Sequence, residues 1–205
     1  MVELAEENRV LRFREKPDAS EVASLKTKNI NAGIYVLEPS VLDLIAAGEN
    51  CSFEYNVFPA LLKSQKPFYA CVLRNNYWRD IGTPESYLKA HHDFLSEKIK
   101  GFEMEKTGDF EVATAALVDK RSIIGADCVI KPNAKIINSV IGEGVHIEEK
   151  AVVENSVVWS HTRISNAAHI KSSVVGRSCH IGRNVVISDG AVLGDKTSLT
   201  DYTKI

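Results

Sequence analysis

Three groups of side chains could do chemistry, and each has to be weighed by where it stands in the chain. Thiols come first. Cys51, Cys71, Cys128 and Cys179 form no CxxC pair and no spacing that suits a metal, so they read as small buried hydrophobes. Histidines come second. His146, His169 and His180 each stand one residue ahead of a recurring apolar position, and an imidazole can act as a general base. The third group is polar and mixed: Glu15 and Lys16 in FREKP, Asn31, Gly33 and Tyr35 in NAGIY, and Trp78 and Asp80 in YWRDIG. By residue type alone, Glu15–Lys16 is an exposed charged pair, Asn31 a turn residue, Trp78 a core aromatic and Asp80 a cap for the helix that follows. Only the frame that holds them can lift any of these above that reading.

With 25 basic and 27 acidic residues, the 205-residue chain carries a formal net charge of −2. Nothing in that balance points to nucleic acid or to an anionic membrane. No uncharged apolar run approaches the ~18–20 residues that span a bilayer. The start, MVELAEENRVLRF, is acidic and mixed, unlike a signal or transit peptide. The expectation is a cytoplasmic protein of one large or two small domains.

The second half restates itself. NSVIGEGVHI (138–147) returns as NSVVWSHTRI (155–164) and again as SSVVGRSCHI (172–181). Its apolar anchors, Val112, Val118, Ile124 and onward to Leu199, are spaced by six or five residues, and from Ile124 to Ile187 the gaps run 6, 6, 5 without exception. A helix cannot satisfy this, because six residues turn it by about 600° and smear its apolar face. Short strands can: the anchor and the small residue two before it point inward, and a bend eased by glycine turns the chain to the next side. Three sides make a coil, and coils stack at ~4.8 Å. Cys128 and Cys179 then lie three coils apart on one inward ladder, roughly 14 Å and too far for a disulfide. His146, His169 and His180 point outward, and Trp159 stands exposed in a slot usually held by glycine.

Before residue 100 the period changes. FREKP (13–17) closes a strand, and NAGIYVLEP (31–39) alternates like a buried strand that ends at Pro39. Ser40 can cap a helix over VLDLIAAG, stopped at Gly48, and Ser52 a second short helix with Pro59 near its start or at a kink. PFYACVL (67–73) reads as a strand. Thr83-Pro84-Glu85 opens a helix over 84–100 that ends at Gly101, with Tyr87, Leu88, His91, Phe94 and Leu95 on one stripe. Alternating strands and helices suggest an α/β unit, although a doubly wound domain needs more strands than these.

Four motifs in this order carry a resemblance: Phe13-x-Glu15-Lys16-Pro17, Asn31-Ala32-Gly33-Ile34-Tyr35, Ser52-Phe53-Glu54 with Val57-Phe58-Pro59, and Tyr77-Trp78-x-Asp80-Ile81-Gly82-Thr83-Pro84. Across residues 8–95 they resemble the sugar-nucleotide pyrophosphorylases, the mannose-1-phosphate guanylyltransferase and glucose-1-phosphate nucleotidyltransferase group. The second half is similar to the hexapeptide-repeat left-handed β-helix, and its handedness comes from that likeness, since the spacing is silent on it. The resemblance implies an α/β, partial Rossmann-like nucleotidyltransferase domain followed by an all-β left-handed parallel β-helix of hexapeptide repeats. The expected divisions are 1–83, a connecting helix at 84–104, and the β-helix at 105–205.

By the same resemblance the activity is sugar 1-phosphate + NTP → NDP-sugar + pyrophosphate with Mg²⁺, the best match being GTP and mannose 1-phosphate. It assigns Glu15 to the sugar hydroxyls, Lys16 to neutralising the sugar phosphate, and Asn31 and the backbone at Gly33 to the lining of the sugar pocket. It assigns Asp80 to the Mg²⁺ ion and Tyr35 and Trp78 to the pocket walls. One departure stands against this: the family's glycine-rich loop with its arginine, G-x-G-x-R, has no counterpart in the 205 residues. The expectation is therefore the C-terminal portion of an NDP-sugar synthase, inactive by itself and self-associating as a homo-oligomer through unpaired strand edges. A non-catalytic regulatory or scaffold subunit of the same fold stays open, and so does, less favoured, a hexapeptide-repeat acyltransferase that would use an outward histidine.

Overall fold

The 6, 6, 5 rhythm folds into three parallel faces. A computed structural model describes residues 1–24, 27, 29–101, 108–188 and 190–205, which form two units, Met1–Trp78 and Arg79–Ile205. In the second unit, one face stacks Glu111–Val112, Val129–Ile130, His146–Ile147, Arg163–Ile164, His180–Ile181 and Ser198–Leu199. Another stacks Leu117–Val118, Lys135–Ile137, Val152–Glu154, His169–Lys171 and Val186–Ile187. The third stacks Ile123–Ile124, Val140–Ile141, Val157–Val158, Val174–Val175 and Val192–Leu193. Ile130 pairs with Ile147, Ile147 with Ile164 and Ile164 with Ile181, so like residues pile up as the spacing predicts. Anchors from Ile130 to Ile187 are buried, each contributing about 1.5–3 kcal/mol by leaving water. The expected boundary at 104/105 lies outside the described residues.

The corners differ from expectation in an instructive way. Glycine just after an anchor was expected to ease the bend, yet Gly125, Gly142, Gly176, Gly182 and Gly194 are absent from the left-handed region. The left-handed residue comes later and is usually not glycine: Asp127, Asn133, Lys150, His161, Ala167, Ser178 and Asn184 at the wider corners, Asn138, Asn155 and Ser172 at the tight ones. What Gly142 supplies is clearance. A Cβ there would lie 2.7 Å from the Ser160 nitrogen of the next coil. The tight corners carry their own ladder, in which the hydroxyls of Ser122, Ser139 and Ser156 accept, at 3.1 Å each, from the backbone N–H of Ser139, Ser156 and Ser173. Asp119 caps its start by accepting from Ser122 and from the Asn138 N–H.

Helix α3 (Pro84–Leu95) closes over the third face. (Two shorter helices precede it in the chain, α1 at Ala19–Ser24 and α2 at Phe58–Lys63.) The hydroxyl of Thr83 accepts from the Ser86 N–H and Pro84 opens the first turn, as the sequence predicts, but the helix stops at Leu95, short of Gly101. Leu88 packs on Val157 and Val174, with Tyr87 and Val140 alongside. The Trp159 indole is exposed, as expected, and it also donates to the Tyr87 hydroxyl and lies under the Arg177 guanidinium at 4.8 Å. His92 reaches the Asn155 carbonyl with Nε2 at 3.1 Å.

The first unit is built around Phe58. Strands β1 (Val2–Leu4) and β2 (Val10–Phe13) pair antiparallel, and Phe58 is packed by Phe13, Tyr35, Phe53 and Phe68 with ring centroids 5.0–5.8 Å away. Ser52 caps the helical turn Phe53–Val57 that runs into α2, with Pro59 in the first turn of α2, as expected. Asp18 caps α1 by accepting from the Ser20 and Glu21 N–H groups.

Other expected elements do not form. Residues 31–38 join no ladder, and Ile34 and Val36 are exposed, because no strand among the described residues runs beside them to take their hydrogen bonds. The expected strand 67–73 makes a single bridge, Tyr69 to Arg9. The helix expected after Ser40 is a 3-10 helix, Pro39–Leu44, with no side-chain cap. Cys128 and Cys179 are buried on one ladder as predicted, but Cys71 is exposed. Among the described residues no helix is long and apolar enough to cross a membrane.

Candidate functional site

The sequence NAGIY places a polar side chain, a glycine and a phenol within five residues, and the first unit gathers them into one directed hydrogen-bond network. Gly33 sits at φ 73, a left-handed conformation that suits a residue without Cβ, and its N–H is accepted by the Asn31 Oδ1 at 3.1 Å. The Asn31 amide nitrogen donates to the Tyr35 hydroxyl at 2.5 Å. That hydroxyl donates to the Glu54 Oε1 at 3.0 Å, and the Ser52 hydroxyl donates to the Glu54 Oε2 at 2.9 Å. The Trp78 indole donates to the Ala32 carbonyl at 3.3 Å and so holds the same loop.

Charge in this cluster follows from those bonds. The Glu54 carboxyl is held below the usual glutamate range by its own backbone N–H and by Ser52, against a smaller opposing effect of burial. Burial pushes the Tyr35 phenol up, the Asn31 bond pulls it back, and the charges of Glu54 and Glu15 push it further up. Tyr35 ties the cluster to the core by stacking on Phe53 and meeting Phe58 edge-on. The result is a partly exposed surface rich in fixed acceptors and donors, suited to a polyhydroxylated ligand.

Lys16 is exposed and sits at φ 43 before Pro17. A non-glycine residue there costs about 1–3 kcal/mol, which the surrounding fold has to sustain. Asp80 belongs to the second unit. It does not cap the helix, since Thr83 does; the Ser86 hydroxyl donates to its carbonyl, and its carboxylate stands exposed. Among the described residues no cluster of three or more His, Cys, Asp or Glu side chains could hold a metal ion. His146 and His180 are exposed on the β-helix, and His169 lies 3.6 Å from the Glu154 carboxylate.

Of the residues expected to line a pocket, Asn31, Gly33 and Tyr35 are hydrogen-bonded to one another, and Trp78 reaches the same loop only through the Ala32 carbonyl. Glu54, from the Ser52-Phe53-Glu54 motif, joins the same network without having been expected there. A carboxylate following a helix-capping serine was the available signal, but nothing in the spacing says that it turns back to meet Tyr35. Asp93 was also missed. It lies on the buried side of α3, 3% exposed, with Arg79 Nη2 at 2.9 Å, Lys98 Nζ at 2.9 Å and Lys89 Nζ at 3.7 Å.

The two halves of the chain match separate families. Residues 1–97 match the family model described as Nucleotidyl transferase, and residues 103–205 match the one described as the EIF2B subunit epsilon LbH domain. The chain belongs to the sugar-nucleotide pyrophosphorylase family, a nucleotidyltransferase domain followed by a left-handed β-helix.

Among its relatives is a mannose-1-phosphate guanylyltransferase of Mycobacterium tuberculosis, 33% identical over 147 residues, 68% of this chain and 40% of the relative. Mannose-1-phosphate guanylyltransferase 1 of Arabidopsis thaliana is 37% identical over 136 residues, 66% of this chain and 35% of that one. A UTP–glucose-1-phosphate uridylyltransferase of Synechocystis is 38% identical over 96 residues, 47% of this chain and 24% of that one. The chain spans less than half the length of these curated relatives.

Proposed function

We propose that this chain supplies the sugar-phosphate side of a nucleotidyl transfer, in which the phosphate oxygen of a hexose 1-phosphate attacks the α-phosphorus of a nucleoside triphosphate and releases pyrophosphate. Mannose 1-phosphate and GTP are the favoured pair, supported by relatives named for that reaction. The observation that carries the reading is the directed network from Asn31 through Tyr35 to Glu54. It fixes donors and acceptors on a partly exposed surface before any ligand arrives, so little ordering remains to be done on binding. In this reading Glu15 and Asn31 meet sugar hydroxyls, the backbone at Gly33 allows close approach, and Tyr35 and Trp78 wall the pocket. Lys16 sets a point charge against the sugar phosphate.

Asp80 is an exposed oxygen donor not used in capping. That fits Mg²⁺, which takes one or two carboxylates together with substrate phosphates. When bound, the ion would neutralise phosphate charge; the residues of this chain bind and align the sugar phosphate. Because the 205 residues carry no G-x-G-x-R stretch, we propose that the chain by itself binds hexose 1-phosphate without turning it over. The layout we propose keeps 1–83, 84–104 and 105–205 as working divisions of a cytoplasmic homo-oligomer. Light scattering showing a clean monomer at high concentration would remove the oligomer from this reading.

A second reading has its own support. The match of residues 103–205 to the EIF2B subunit epsilon LbH domain favours a non-catalytic subunit that uses the same fold as a scaffold. Isothermal titration with mannose 1-phosphate, glucose 1-phosphate and acetyl-CoA separates the possibilities. Saturable binding of a hexose 1-phosphate, lost in Glu15→Ala, is expected. Binding of neither sugar phosphate would favour the scaffold, and binding of acetyl-CoA would sink the first reading.

A further inference from the structure

Asp93 is the most deeply buried charge among the described residues, and one of its partners, Arg79, lies next to the proposed metal ligand. Its side chain is 4% exposed, and the Arg79 guanidinium meets its Oδ2 at 2.9 Å while Lys98 meets Oδ1 at 2.9 Å and Lys89 stands 3.7 Å away. Asp93 is the shared counter-charge of the three cations, so it draws their head groups to one point against α3. Arg79 is the residue just before Asp80. From the other side, the Ser86 hydroxyl of α3 donates to the Asp80 carbonyl and Thr83 caps the same helix. The three-residue stretch between Arg79 and Thr83 is therefore tied to α3 at both ends and at its first carbonyl.

Helix α3 is in turn held on the β-helix. Leu88 packs on Val157 and Val174, His92 bonds the Asn155 carbonyl, and Tyr87 takes the Trp159 indole. A run of fixed contacts thus leads from the β-helix to the backbone that carries Asp80. We infer that Asp93 is a positioning residue: through Arg79 it fixes the orientation of Asp80, and the β-helix serves as the rigid platform for that latch. This deepens the reading of Asp80 given above and rests on it only for the metal. The latch itself is a claim about order.

The test uses the full 205-residue chain labelled with ¹⁵N. Backbone order parameters of Asp80, Ile81 and Gly82 should be near ~0.85 in the wild type and fall below about 0.6 in Asp93→Asn and in Arg79→Met. Lys98→Met, which removes a different partner of the same carboxylate, should leave them high. Having two variants on the Arg79 link keeps the test alive should Asp93→Asn fail to fold.

A second readout adds Mn²⁺ with mannose 1-phosphate and follows paramagnetic loss of the Asp80 signals. That loss should be strong in the wild type and about tenfold weaker, at equal Mn²⁺, in both latch variants. Unchanged order parameters in Arg79→Met, or equal signal loss in wild type and variants, overturn the positioning role. No loss in the wild type, with order still dependent on Asp93, overturns the metal reading of Asp80 and leaves the latch standing.

Discussion

At the scale of single residues, Lys16 allows function and stability to be pulled apart. Its φ of 43 is a conformation that glycine adopts freely and lysine does not. Lys16→Gly should therefore keep thermal and denaturant stability within about 1 kcal/mol of wild type, relief of strain offsetting the extra freedom of the unfolded chain. The same change removes the proposed point charge, so affinity for mannose 1-phosphate should drop by about tenfold or more. Calorimetry and urea melts on one preparation check both halves; loss of stability without loss of affinity would make Lys16 a structural residue only.

Part of the hydrogen-bonded cluster was legible in sequence, because NAGIY puts Asn31, Gly33 and Tyr35 within five residues of one another. Glu54 was not. Its role depends on a turn at Ser52 that brings a carboxylate back to Tyr35 from nineteen positions away in the chain, and no local pattern encodes that return. Asp93 escaped for a related reason: a carboxylate on a helix reads as solvent-facing until its three cationic partners are seen.

Elements differ in how far their own residues specify them. The β-helix was readable because each coil repeats the last, so its partner is written seventeen or eighteen residues away in the same pattern, as in Val157 against Val174 and Val174 against Val192. Residues 31–38 show the opposite case. Their alternation is that of a strand, but a strand needs a neighbour, and the neighbour is not recorded in the segment itself. Glycines in the coil give a clean element-scale prediction. A Cβ on Gly142 would press on the next coil at 2.7 Å, whereas one on Gly194 meets nothing within 4 Å. Gly142→Ala should destabilise the β-helix by about 1–3 kcal/mol and Gly194→Ala by less than ~0.5 kcal/mol, as read from denaturation midpoints. Equal effects would mean that the backbone there adjusts freely.

The docking of α3 should also depend on pH through His92. Burial lowers its pKa below the ordinary 6.5, with its bond to the Asn155 carbonyl opposing and Lys89 adding to the shift. The unfolded chain then takes up the proton first as pH falls, so stability is full above the ordinary value of 6.5 and declines below it until the folded state also protonates. Urea midpoints measured between about pH 7.5 and pH 5.5 should fall for wild type and stay flatter for His92→Gln, which cannot titrate. Parallel curves would place the sensitivity elsewhere.

For the whole molecule, the two units have cores of very different kind. Among the described residues the β-helix buries an apolar cluster from Cys128 to Ile187, while the first unit is centred on Phe58 with Val2, Val10, Phe13, Val57 and Leu61. Equilibrium unfolding should accordingly show two transitions, with the fluorescence and amide signals of residues 1–78 lost first and the β-sheet signal persisting to higher denaturant. A single coincident transition by both probes would contradict this.

In the proposed reading the sugar phosphate binds the nucleotidyltransferase half, and the β-helix supports it. Chemical-shift mapping of mannose 1-phosphate on the ¹⁵N-labelled chain tests that most directly. Perturbations should gather at residues 13–17, 31–35, 52–54 and 78–82, with His146, His169 and His180 unmoved. Shifts centred on those histidines, or none at saturating ligand, would contradict it.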